Sequence, residues 1–330
     1  MKRIIIDCDP GNGIAGSNVD DGLALALAIA APEISLDLIT VVAGNTPVTT
    51  GYSVIKDLLS RLKLDIPVVR GASCAEVEPA APWREILDNR LLDPALKQLW
   101  QGVRQPQQFT AGEDTAADAI GQLICANPGE ITLVAIGPLT NVAAALAKYP
   151  LMAHAVKEIA IMGGVFALDG YIKDTNFGFD PEAAWKVLHS GANITLVPMD
   201  VTTRTLMTHQ DLQRLARIDH PLVQFVCETM RPWIDYSIAQ RHIPGCWIHD
   251  ALVVAWLLNQ RVATAADYYV DVELRPGPTR GKSWRYRPPL RLNVGIEESV
   301  SSLIHVLQQV DNGQLIAMLE HYFSALVPEK

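Results

Sequence analysis

The sequence predicts an α/β fold with a mostly parallel central sheet, helices on both faces of the sheet and additional helices in the C-terminal half. Strand-like and helix-like segments alternate along the chain, which is typical of βαβ units. Ile131–Ile136 is a nearly continuous apolar run, as expected for a strand of a sheet that is covered on both faces. Hydrophobic residues make up 49% of the 330 residues, which excludes a disordered chain.

The first third of the chain contains three predicted strands and two predicted helices. The first strand ends at a Pro-Gly turn, and the first helix is rich in Leu and Ala and ends at Pro32. Runs of β-branched residues and helical periodicity identify the other segments. In chain order, the segments are Arg3–Cys8 (strand), Asp21–Ala31 (helix), Leu36–Ala43 (strand), Thr49–Leu62 (helix) and Ile66–Val69 (strand).

The alternation resumes in the middle of the chain. Residues 71–112, which precede the resumed alternation of strands and helices, are rich in proline and in charged residues. Within this segment we expect a helix near Arg84–Trp100. Irregular segments of this kind in α/β proteins often serve as lids or specificity inserts. The next predicted segments are Ile131–Ile136 (strand), Leu139–Lys148 (helix), Val156–Met162 (strand), Pro181–Ser190 (helix) and Ile194–Met199 (strand).

Helical patterns dominate the chain from about residue 205 onward. A hairpin-like pair of strands is expected at Tyr268–Leu274 and Trp284–Val294, and one or two amphipathic helices at Ser299–Leu326. The chain shows no internal repeat, low-complexity tract or linker. We therefore expect a single domain over residues 1–330.

Composition and charge narrow the class of protein. Lys and Arg total 27 against 36 Asp and Glu, and the net charge of −9 argues against general binding of nucleic acid. The five cysteines form no CxxC motif, which argues against structural zinc or a disulfide framework and suits a reducing cytoplasm. The longest apolar run, Leu23–Ala31, is shorter than the roughly 20 residues that span a bilayer. We expect a cytoplasmic protein with no membrane segment.

Acidic and amide side chains recur after the predicted strands, and further acids open two of the predicted helices, at Asp20-Asp21 and at Asp250. Because ligands of parallel sheets bind at the carboxyl ends of the strands, we expect these side chains to gather there. Crowded carboxylates repel one another, and a hard divalent cation such as Ca²⁺, which takes six to eight oxygen ligands, resolves that repulsion. The residues concerned are Asp7, Asp9, Asp20, Asp21, Asn45, Asn141, Asp174, Asn176, Asp200 and Asp250.

Other interpretations of these features stay open. Asp20 and Asp21 could simply stabilise the N-terminus of a helix, and a single histidine such as His249 is more often structural than catalytic. The segment Gly11–Gly16 matches the G-x-G-x-x-G pattern of dinucleotide sites, and an enzyme of that class would bind NAD. The second strand, however, ends without the acid that binds the ribose, and the flanking aspartates would repel a pyrophosphate.

Several motifs together resemble the inosine-uridine-preferring nucleoside hydrolases, over nearly the whole chain. The resemblance implies a parallel, Rossmann-like α/β fold and a tightly held Ca²⁺. It also implies hydrolysis of the N-glycosidic bond of a ribonucleoside, giving ribose and a free base, by a homodimer or homotetramer. The motifs are IIIDCDPG at 4–11, DDGLALALA at 20–28, TVVAGN at 40–45, LVAIGPLTNVA at 133–143, IAIMGG at 159–164, DTNFGFDPEAA at 174–184 and IHDALVVA at 248–255.

The resemblance also implies roles for individual residues. Asp9 looks like the general base and a metal ligand, and the other metal ligands would be Asp21, Asp250 and the backbone carbonyl of Ile136. His249 looks like the residue that protonates a purine leaving group. Contacts to the ribose, or residues that organise its site, would be Asp20, Asn45, Met162, Asp174 and Asn176.

The implied chemistry follows from charge. Departure of the base builds positive charge on the ribosyl ring, and anionic oxygens around the ring stabilise it. Calcium would bind the 2′- and 3′-hydroxyls and present a water, from which Asp9 removes a proton. Substrates that lack the 2′-hydroxyl should be rejected strongly, because the absence of this hydroxyl leaves ligand positions unsatisfied.

The chain departs from the family pattern at the turn after the first strand. Eight residues, 12–19, separate Gly11 from Asp20, where the family has one. If this insert bulges outward as a loop or flap, the aspartates can still converge; otherwise the site is damaged. Two alternatives therefore stay open: the same fold and metal acting on another N-ribosyl compound, or a ribose- or nucleoside-binding protein whose insert has disabled turnover.

The sugar and base ends of the expected site depart as well. Asp174 replaces a glutamate that meets the ribose 5′-hydroxyl in the family, and it is one methylene shorter. No histidine occurs between Asp9 and His154, so a base-recognition histidine is missing. The candidates to line the base pocket are Trp233, Ser237, Arg241 and His242, which could equally be ordinary packing and surface residues.

Overall fold

The computed structural model describes residues 1–89, 93–287 and 302–327. Within these ranges, nine strands form one sheet in the order β10-β9-β11-β6-β5-β4-β1-β2-β3, and two short strands form a separate ribbon. The strands are β1 Lys2–Cys8, β2 Ile34–Val41, β3 Val68–Arg70, β4 Ile131–Ala135, β5 Glu158–Met162, β6 Ile194–Val197, β7 Leu206–Met207, β8 Cys246–Trp247, β9 Ala263–Val272, β10 Ser283–Tyr286 and β11 Ile304–Val310.

Helices occupy much of the remaining described chain, and a short 3₁₀ helix spans Gln260–Val262. The α-helices are α1 Asp20–Ala30, α2 Val48–Leu62, α3 Ala81–Asp88, α4 Pro94–Gln98, α5 Ala116–Ala126, α6 Thr140–Lys148, α7 Met152–Ala155, α8 Thr175–Phe179, α9 Pro181–Leu188, α10 Met199–Thr202, α11 His209–Leu215, α12 Pro221–Arg241, α13 His249–Leu258 and α14 Asn312–Ser324.

The sheet is mostly parallel, which confirms the predicted fold class. Strands β11, β6, β5, β4, β1, β2 and β3 pair in parallel, and β9 is antiparallel to both β10 and β11. Strand β1 lies between β2 and β4, with Asp7 in register with Thr40 on one side and Ala135 on the other. The chain passes from β1 to β2 and β3 on one side and later crosses to β4 on the other side of β1, and ligands of parallel sheets bind at such a switch point.

Apolar layers cover both faces of the sheet. Side chains alternate along β1, so Ile4 and Ile6 join one buried cluster with α1 and α13, whereas Ile5 joins a second cluster with α5, α6 and α9. Helix α1 is buried almost all round, because it packs between neighbours that include α13 and α12. This burial places the acidic N-terminus of α1 deep in the molecule.

One predicted element is wrong in type. The segment Ser299–Leu326 was expected to be helical, but Ile304–Val310 is strand β11, and only Asn312–Ser324 is helix. Residues 299–301 lie outside the described residues. The strand forms because it pairs with β6 and β9 at the same time, and this tertiary pairing overrides the local pattern. Asp311 then starts α14 by accepting a hydrogen bond from the amide of Gln314.

Two other expectations need adjustment. The helix expected near Arg84–Trp100 is two helices, α3 and α4, and Pro94 begins the second of them after the Asp93 cap. The hairpin-like pair is confirmed as β9 and β10, although β9 begins earlier, at Ala263. The last predicted residues of its second strand, 288–294, lie outside the described residues.

Candidate active site

Carboxylates from three parts of the chain converge at the carboxyl end of β1. Asp9 follows β1, Asp20 and Asp21 begin α1, and Asp250 lies in the first turn of α13. Oxygen atoms of Asp20, Asp21 and Asp250 lie within 4.8 Å of one another, and all three residues are buried. The backbone amide of Asp9 donates a 2.9 Å hydrogen bond to Oδ1 of Asp21. The structure thus brings together the aspartates that the sequence assigns to the metal and the sugar.

The insert at residues 12–19 closes on itself and does not separate these aspartates. A Cβ at Gly11 would lie 2.4 Å from the carbonyl oxygen of Asn18, so the two ends of the insert touch. Nδ2 of Asn12 donates to the carbonyl of Val19 (2.9 Å) and to the Thr229 hydroxyl on α12 (3.0 Å). Of the eight inserted residues, one is exposed. The insert is a loop packed against α12, and the aspartates on either side of it still converge.

Two glycines enclose the Asp9 carboxylate. Its Oδ2 accepts a 2.6 Å hydrogen bond from the amide of Asn45. A Cβ at Gly44 would lie 2.0 Å from Oδ2, and one at Gly137 would lie 3.0 Å from Oδ1. Oδ1 is buried and has no hydrogen-bond partner in the described part of the chain. An orphaned buried carboxylate oxygen is costly, and a ligand would satisfy it.

The other ligand atoms are also oxygens. Oδ2 of Asp20 accepts a 3.1 Å hydrogen bond from the Asp250 amide, while its Oδ1 is buried without a partner among the described residues. The carbonyl of Ile136 lines the same cavity and accepts a 2.9 Å hydrogen bond from Nδ2 of Asn176, which leaves its second lone pair available. Carboxylate and carbonyl oxygens suit a hard cation such as Ca²⁺, so these residues fit the predicted metal.

Burial opposes ionisation of the whole cluster. Loss of hydration raises the pKa of Asp20 to about 6, and loss of hydration together with the charge of Asp20 raises the pKa of Asp21 to about 7. The pKa values of Asp9 and Asp250 are also raised, first by burial and then by the charges of Asp21 and Asp20 respectively. Protons therefore compete with any cation for this site, and a divalent charge would favour the ionised carboxylates.

A cavity of about 750 Å³, open to solvent on one side, lies over the cluster. Acids and amides line it together with aromatic and cationic side chains, which come from the segment after β5 and from the end of α12 onward. The lining residues are Asn18, Asp20, Asn45, Ile136, Met162, Tyr171, Lys173, Asp174, Thr175, Asn176, Met199, Arg241, Trp247, His249 and Asp250.

The residues expected to contact ribose lie in this cavity and are held by the backbone. Nδ2 of Asn176 donates to the carbonyls of Ile136 (2.9 Å) and Met162 (3.1 Å), which links the ends of β4 and β5. Nδ2 of Asn45 lies 3.3 Å from Oδ2 of Asp21. These contacts fix both amide side chains, so that their oxygens have defined positions.

Asp174 is the N-cap of α8. Its oxygens accept hydrogen bonds from the amides of Gly164 (2.8 Å) and Phe177 (3.0 Å). Burial is the main reason that its pKa is raised to about 6, although these amide contacts oppose the shift. Because both oxygens already have backbone partners, the carboxylate is less available to a ligand than its position in the cavity suggests.

His249 opens α13 beside the acidic cluster. Its Nδ1 lies 2.6 Å from the Thr202 hydroxyl, which leaves Nε2 as the nitrogen available to the cavity. Burial, followed by the positive charge of Arg241, lowers the pKa of His249 to about 3. The ring is therefore neutral at pH 7 in this structure. The indole of Trp247 packs edge-on against it at 5.8 Å between ring centroids.

The base-pocket candidates separate into two groups. Arg241 lines the cavity, whereas Trp233 and Ser237 are fully buried on α12 and do not line it. Trp233 contacts the cavity only indirectly, through Arg241, whose guanidinium carbon lies 5.0 Å from the centroid of the Trp233 ring. His242 ends α12 in the left-handed conformation, with φ of 55°, and does not line the cavity.

Comparison with known proteins identifies the family. The family model described as inosine-uridine preferring nucleoside hydrolase matches residues 4–317. The chain belongs to this nucleoside hydrolase family. Among curated relatives, the pyrimidine-specific ribonucleoside hydrolase RihA of Salmonella typhimurium is 33% identical over 283 residues, which is 84% of this chain and 86% of the relative. RihA of an Enterobacter species is 34% identical over the same lengths.

Solved nucleoside hydrolases share the fold. The plant nucleoside hydrolase PpNRh1 superposes with a TM-score of 0.84 at 26% identity, covering 98% of this chain and 99% of that one. The purine-preferring ribonucleoside hydrolase from Gardnerella vaginalis gives 0.80 at 26% identity, with the same coverage. The predicted family and the predicted hydrolase activity toward nucleosides are confirmed. In the described part of this nucleoside hydrolase, no helix is both long and apolar enough to cross a membrane.

Sequence reasoning missed several residues at the nucleoside hydrolase site. The insert contributes Asn18 to the cavity, and the segment after β5 contributes Tyr171 and Lys173. Trp247, which forms an aromatic wall with Tyr171 at 6.3 Å between centroids, directly precedes the recognised Ile-His-Asp motif. The position of Trp247 beside that motif was the available signal, whereas Asn18 could not be placed without the fold of the insert.

The irregular segment at 71–112 also reaches this site. Nη2 of Arg84, on α3, donates to the carbonyls of Gly44 (2.8 Å) and Asn45 (3.1 Å). Those two residues directly contact Asp9, so α3 is attached to the loop that encloses the carboxylate expected to act as the general base. Asp7 has a supporting position, because its Oδ1 accepts from Thr40 (2.6 Å) and from Asn141 (2.8 Å).

Proposed function

We propose that this nucleoside hydrolase uses Ca²⁺ to hydrolyse the N-glycosidic bond of ribonucleosides, giving ribose and a free base. The observation that carries the proposal is the convergence of buried aspartates beside an open cavity: Asp20 and Asp250 line the cavity, Asp21 lies within 4.8 Å of both, and the amide of Asp9 donates to Asp21. The packed insert keeps Asp9 and Asp21 in hydrogen-bond contact, which supports turnover over a binding protein whose insert has disabled it.

The proposed metal ligands are Asp9, Asp21, Asp250 and the carbonyl of Ile136. Carboxylate oxygens of Asp21, Asp250 and Asp20 lie within 4.8 Å of one another. This proximity supports a position for Asp20 at the boundary between the metal and the sugar. A bound Ca²⁺ would supply Lewis acidity and hold hydroxyl groups of the sugar. The orphaned oxygens of Asp9 and Asp20 support this assignment, because ligand or substrate contacts would satisfy both.

Asp9 is the proposed general base. Its Oδ2 is engaged by the Asn45 amide, and Oδ1 is the oxygen left to accept a proton from the attacking water. The crowded carboxylates around it favour positive charge, which is what the ribosyl ring develops as the base departs. Asp20, Asn45, Met162, Asp174 and Asn176 are proposed to contact or organise the ribose.

His249 is proposed to donate a hydrogen bond or a proton to the departing base through Nε2. The Thr202 hydroxyl holds its Nδ1 at 2.6 Å and so fixes the ring. Trp247 packs against the ring edge and adds a flat surface on which a base can stack. Arg241, backed by Trp233, completes the base end that the sequence predicts.

Release of base from a panel of ribonucleosides, with and without a calcium chelator, tests the proposal. The panel needs uridine, cytidine, inosine and adenosine, because the curated relatives are named pyrimidine-specific and one structural neighbour is named purine-preferring. We expect base release that chelation abolishes and added Ca²⁺ restores. Release that is unaffected by complete removal of metal would refute the calcium role. Tight ribose binding without any release would refute the hydrolysis.

We also propose a cytoplasmic homo-oligomer, a dimer or a tetramer. All five cysteines are free in the structure, which suits a reducing compartment. The oligomer follows from resemblance to the family. Sedimentation equilibrium at micromolar concentration should give a mass of two or four chains, and a monomer at every concentration would contradict this part of the proposal.

A further inference from the structure

Arg241 has an unusual environment at the mouth of the cavity. Its guanidinium carbon lies 5.0 Å from the ring centroid of Trp233 and 5.6 Å from that of Trp247. Among the described residues, none forms a hydrogen bond or an ion pair with it, although its charge acts on the Asp20 carboxylate and opposes the rise in the pKa of that group that burial causes. Arginine carries five N–H donors and a permanent charge, so the aromatic faces hold this half-buried cation while its donors have no partner among the described side chains and remain available to a ligand.

The aromatic side chains around Arg241 fix the position of its guanidinium group. Trp233 is fully buried and stacks on Tyr236, with ring centroids 5.2 Å apart and planes 15° apart. Arg241 is the last residue of α12, and Trp247 lies on β8, so two separate elements hold the guanidinium. The other cavity-lining cation, Lys173, places its ammonium 5.8 Å from the centroid of Trp83 on α3. Arg241 is therefore the cation that shares the cavity wall with Trp247 and His249.

The reaction needs a positive charge at this end. When the bond between C1′ and the base nitrogen breaks, both bonding electrons go to the nitrogen, and the ribosyl ring is left positive. Water then forms a bond to C1′, its proton passes to Asp9, and the base becomes neutral only when it gains a proton. Acids surround the sugar end of the cavity, but they repel a base that carries developing negative charge.

We propose that Arg241 is a further catalytic residue, which stabilises the departing base by donating hydrogen bonds to it while negative charge accumulates on its ring. This inference rests on the proposed function, and it adds a leaving-group residue to it. The acidic floor and the cationic wall then stabilise the two products of heterolysis separately. The two tryptophans orient the guanidinium, and no carboxylate among the described residues lies in direct ion-pair contact with it, so its donors can reach the base.

Three variants and two kinds of substrate test this inference. Arg241→Gln, Arg241→Lys and Arg241→Ala are compared on uridine and inosine, and on 4-nitrophenyl riboside, whose leaving group is a stable anion that needs little assistance. We expect Arg241→Gln to lower kcat on the nucleosides by about 10²- to 10³-fold, as removal of one transition-state donor does elsewhere. Activity on 4-nitrophenyl riboside should fall less than about fivefold, which also shows that the variant is folded.

Rescue and a matched control make the result specific. Guanidinium chloride at millimolar concentration should restore nucleoside turnover to Arg241→Ala at least in part, and Arg241→Lys should lie between wild type and Arg241→Gln. Arg285 is the control, because aromatic rings hold it in the same way, 4.7 Å from Phe166 and 4.4 Å from Tyr268, and it does not line the cavity. Arg285→Ala should leave the ratio of the two activities unchanged.

Two results would overturn the inference. Equal losses on nucleosides and on 4-nitrophenyl riboside would show that Arg241 only maintains the site, and nucleoside rates near wild type would show that it has no role in the reaction. In both cases wild type still releases base, so the proposed function survives. A wild-type enzyme that releases no leaving group from any riboside would refute the proposed function and, with it, this inference.

Discussion

The backbone amide of Asp9 donates a 2.9 Å hydrogen bond to the carboxylate of Asp21, although twelve positions separate the two residues in sequence. The insert between them folds back so tightly that Gly11 touches Asn18. A loop in the middle of an acidic site is therefore compatible with that site, because the loop closes before α1 begins. Convergence of the aspartates in this nucleoside hydrolase depends on that closure.

Removal of the Asp9 carboxylate should lower activity but raise the melting temperature of the cation-free protein. We expect Asp9→Asn to lower kcat by about 10³-fold or more, since a general base and a metal ligand are lost together. Without added cation, the same variant should melt at a higher temperature than wild type, because it lacks a desolvated acid among like charges. Base release and thermal melting in chelator check the two effects, and a near-normal rate would remove Asp9 from its role.

Closure of the insert depends on glycine at position 11. In Gly11→Ala the new Cβ would meet the Asn18 carbonyl at 2.4 Å, so the loop must shift and carry Asp9 or Asp21 with it. We expect a lower melting temperature and a loss of about 10² in kcat, which is typical of misplacement by about 1 Å. Gly112→Ala is the matched control, because nothing lies within 4 Å of its added Cβ. Similar behaviour of the two variants would contradict the tight closure.

The stabilising effect of Ca²⁺ should increase with pH. Burial raises the pKa of Asp20 to about 6 and of Asp21 to about 7, so the folded chain binds protons there at pH values at which the unfolded chain has lost them. Without cation, these groups therefore make stability fall as the pH rises from about 4 to about 7. Ca²⁺ replaces those protons, and its increase in melting temperature should be larger at pH 8 than at pH 5.5. An increase that is the same at every pH would argue against binding at these aspartates.

The 5′- and 2′-hydroxyls of the ribose should contribute unequally to hydrolysis. Both oxygens of Asp174 already accept backbone hydrogen bonds, so 5′-deoxyuridine should be hydrolysed within about tenfold of uridine. Loss of the 2′-hydroxyl should reduce kcat/KM by about 10⁴-fold, since the acidic floor is left without its partner. Steady-state kinetics on uridine and its 5′- and 2′-deoxy analogues measure this. Strong rejection of the 5′-deoxy compound would show that Asp174 binds that hydroxyl directly.

His249 should matter most for substrates with poor leaving groups. We expect His249→Ala to reduce kcat on purine nucleosides by about 10²- to 10⁴-fold and to affect 4-nitrophenyl riboside much less. Thr202→Val removes the partner that fixes Nδ1 and should give an intermediate loss with the same selectivity. If both classes of substrate lose activity equally in His249→Ala, protonation of or hydrogen bonding to the base is not the function of His249.

The parts of the molecule that could be predicted are those that local sequence determines. Runs of mainly apolar residues such as Ile131–Ala135 indicate strands, and side chains placed after parallel strands must meet at one edge of the sheet, as Asp9 after β1 and Asn45 after β2 do. Asp250 reaches the same site from α13, which follows the separate β7-β8 ribbon. Ile304–Val310 could not be predicted, because its residues fit a helix as well as a strand and pairing with β6 and β9 decides between them. The position of Arg241 between Trp233 and Trp247 depends on two elements that meet only in the folded chain.

The central claim is that distant aspartates hold one cation beside the sugar, and a crystal grown with CaCl₂ and ribose tests it most directly. We expect one strong calcium peak with oxygen ligands at 2.3–2.6 Å from Asp9, Asp21, Asp250 and the Ile136 carbonyl, with ribose hydroxyls completing the shell. A crystal in which these carboxylates point in different directions, and in which no ion binds between them at high calcium concentration, would contradict the account.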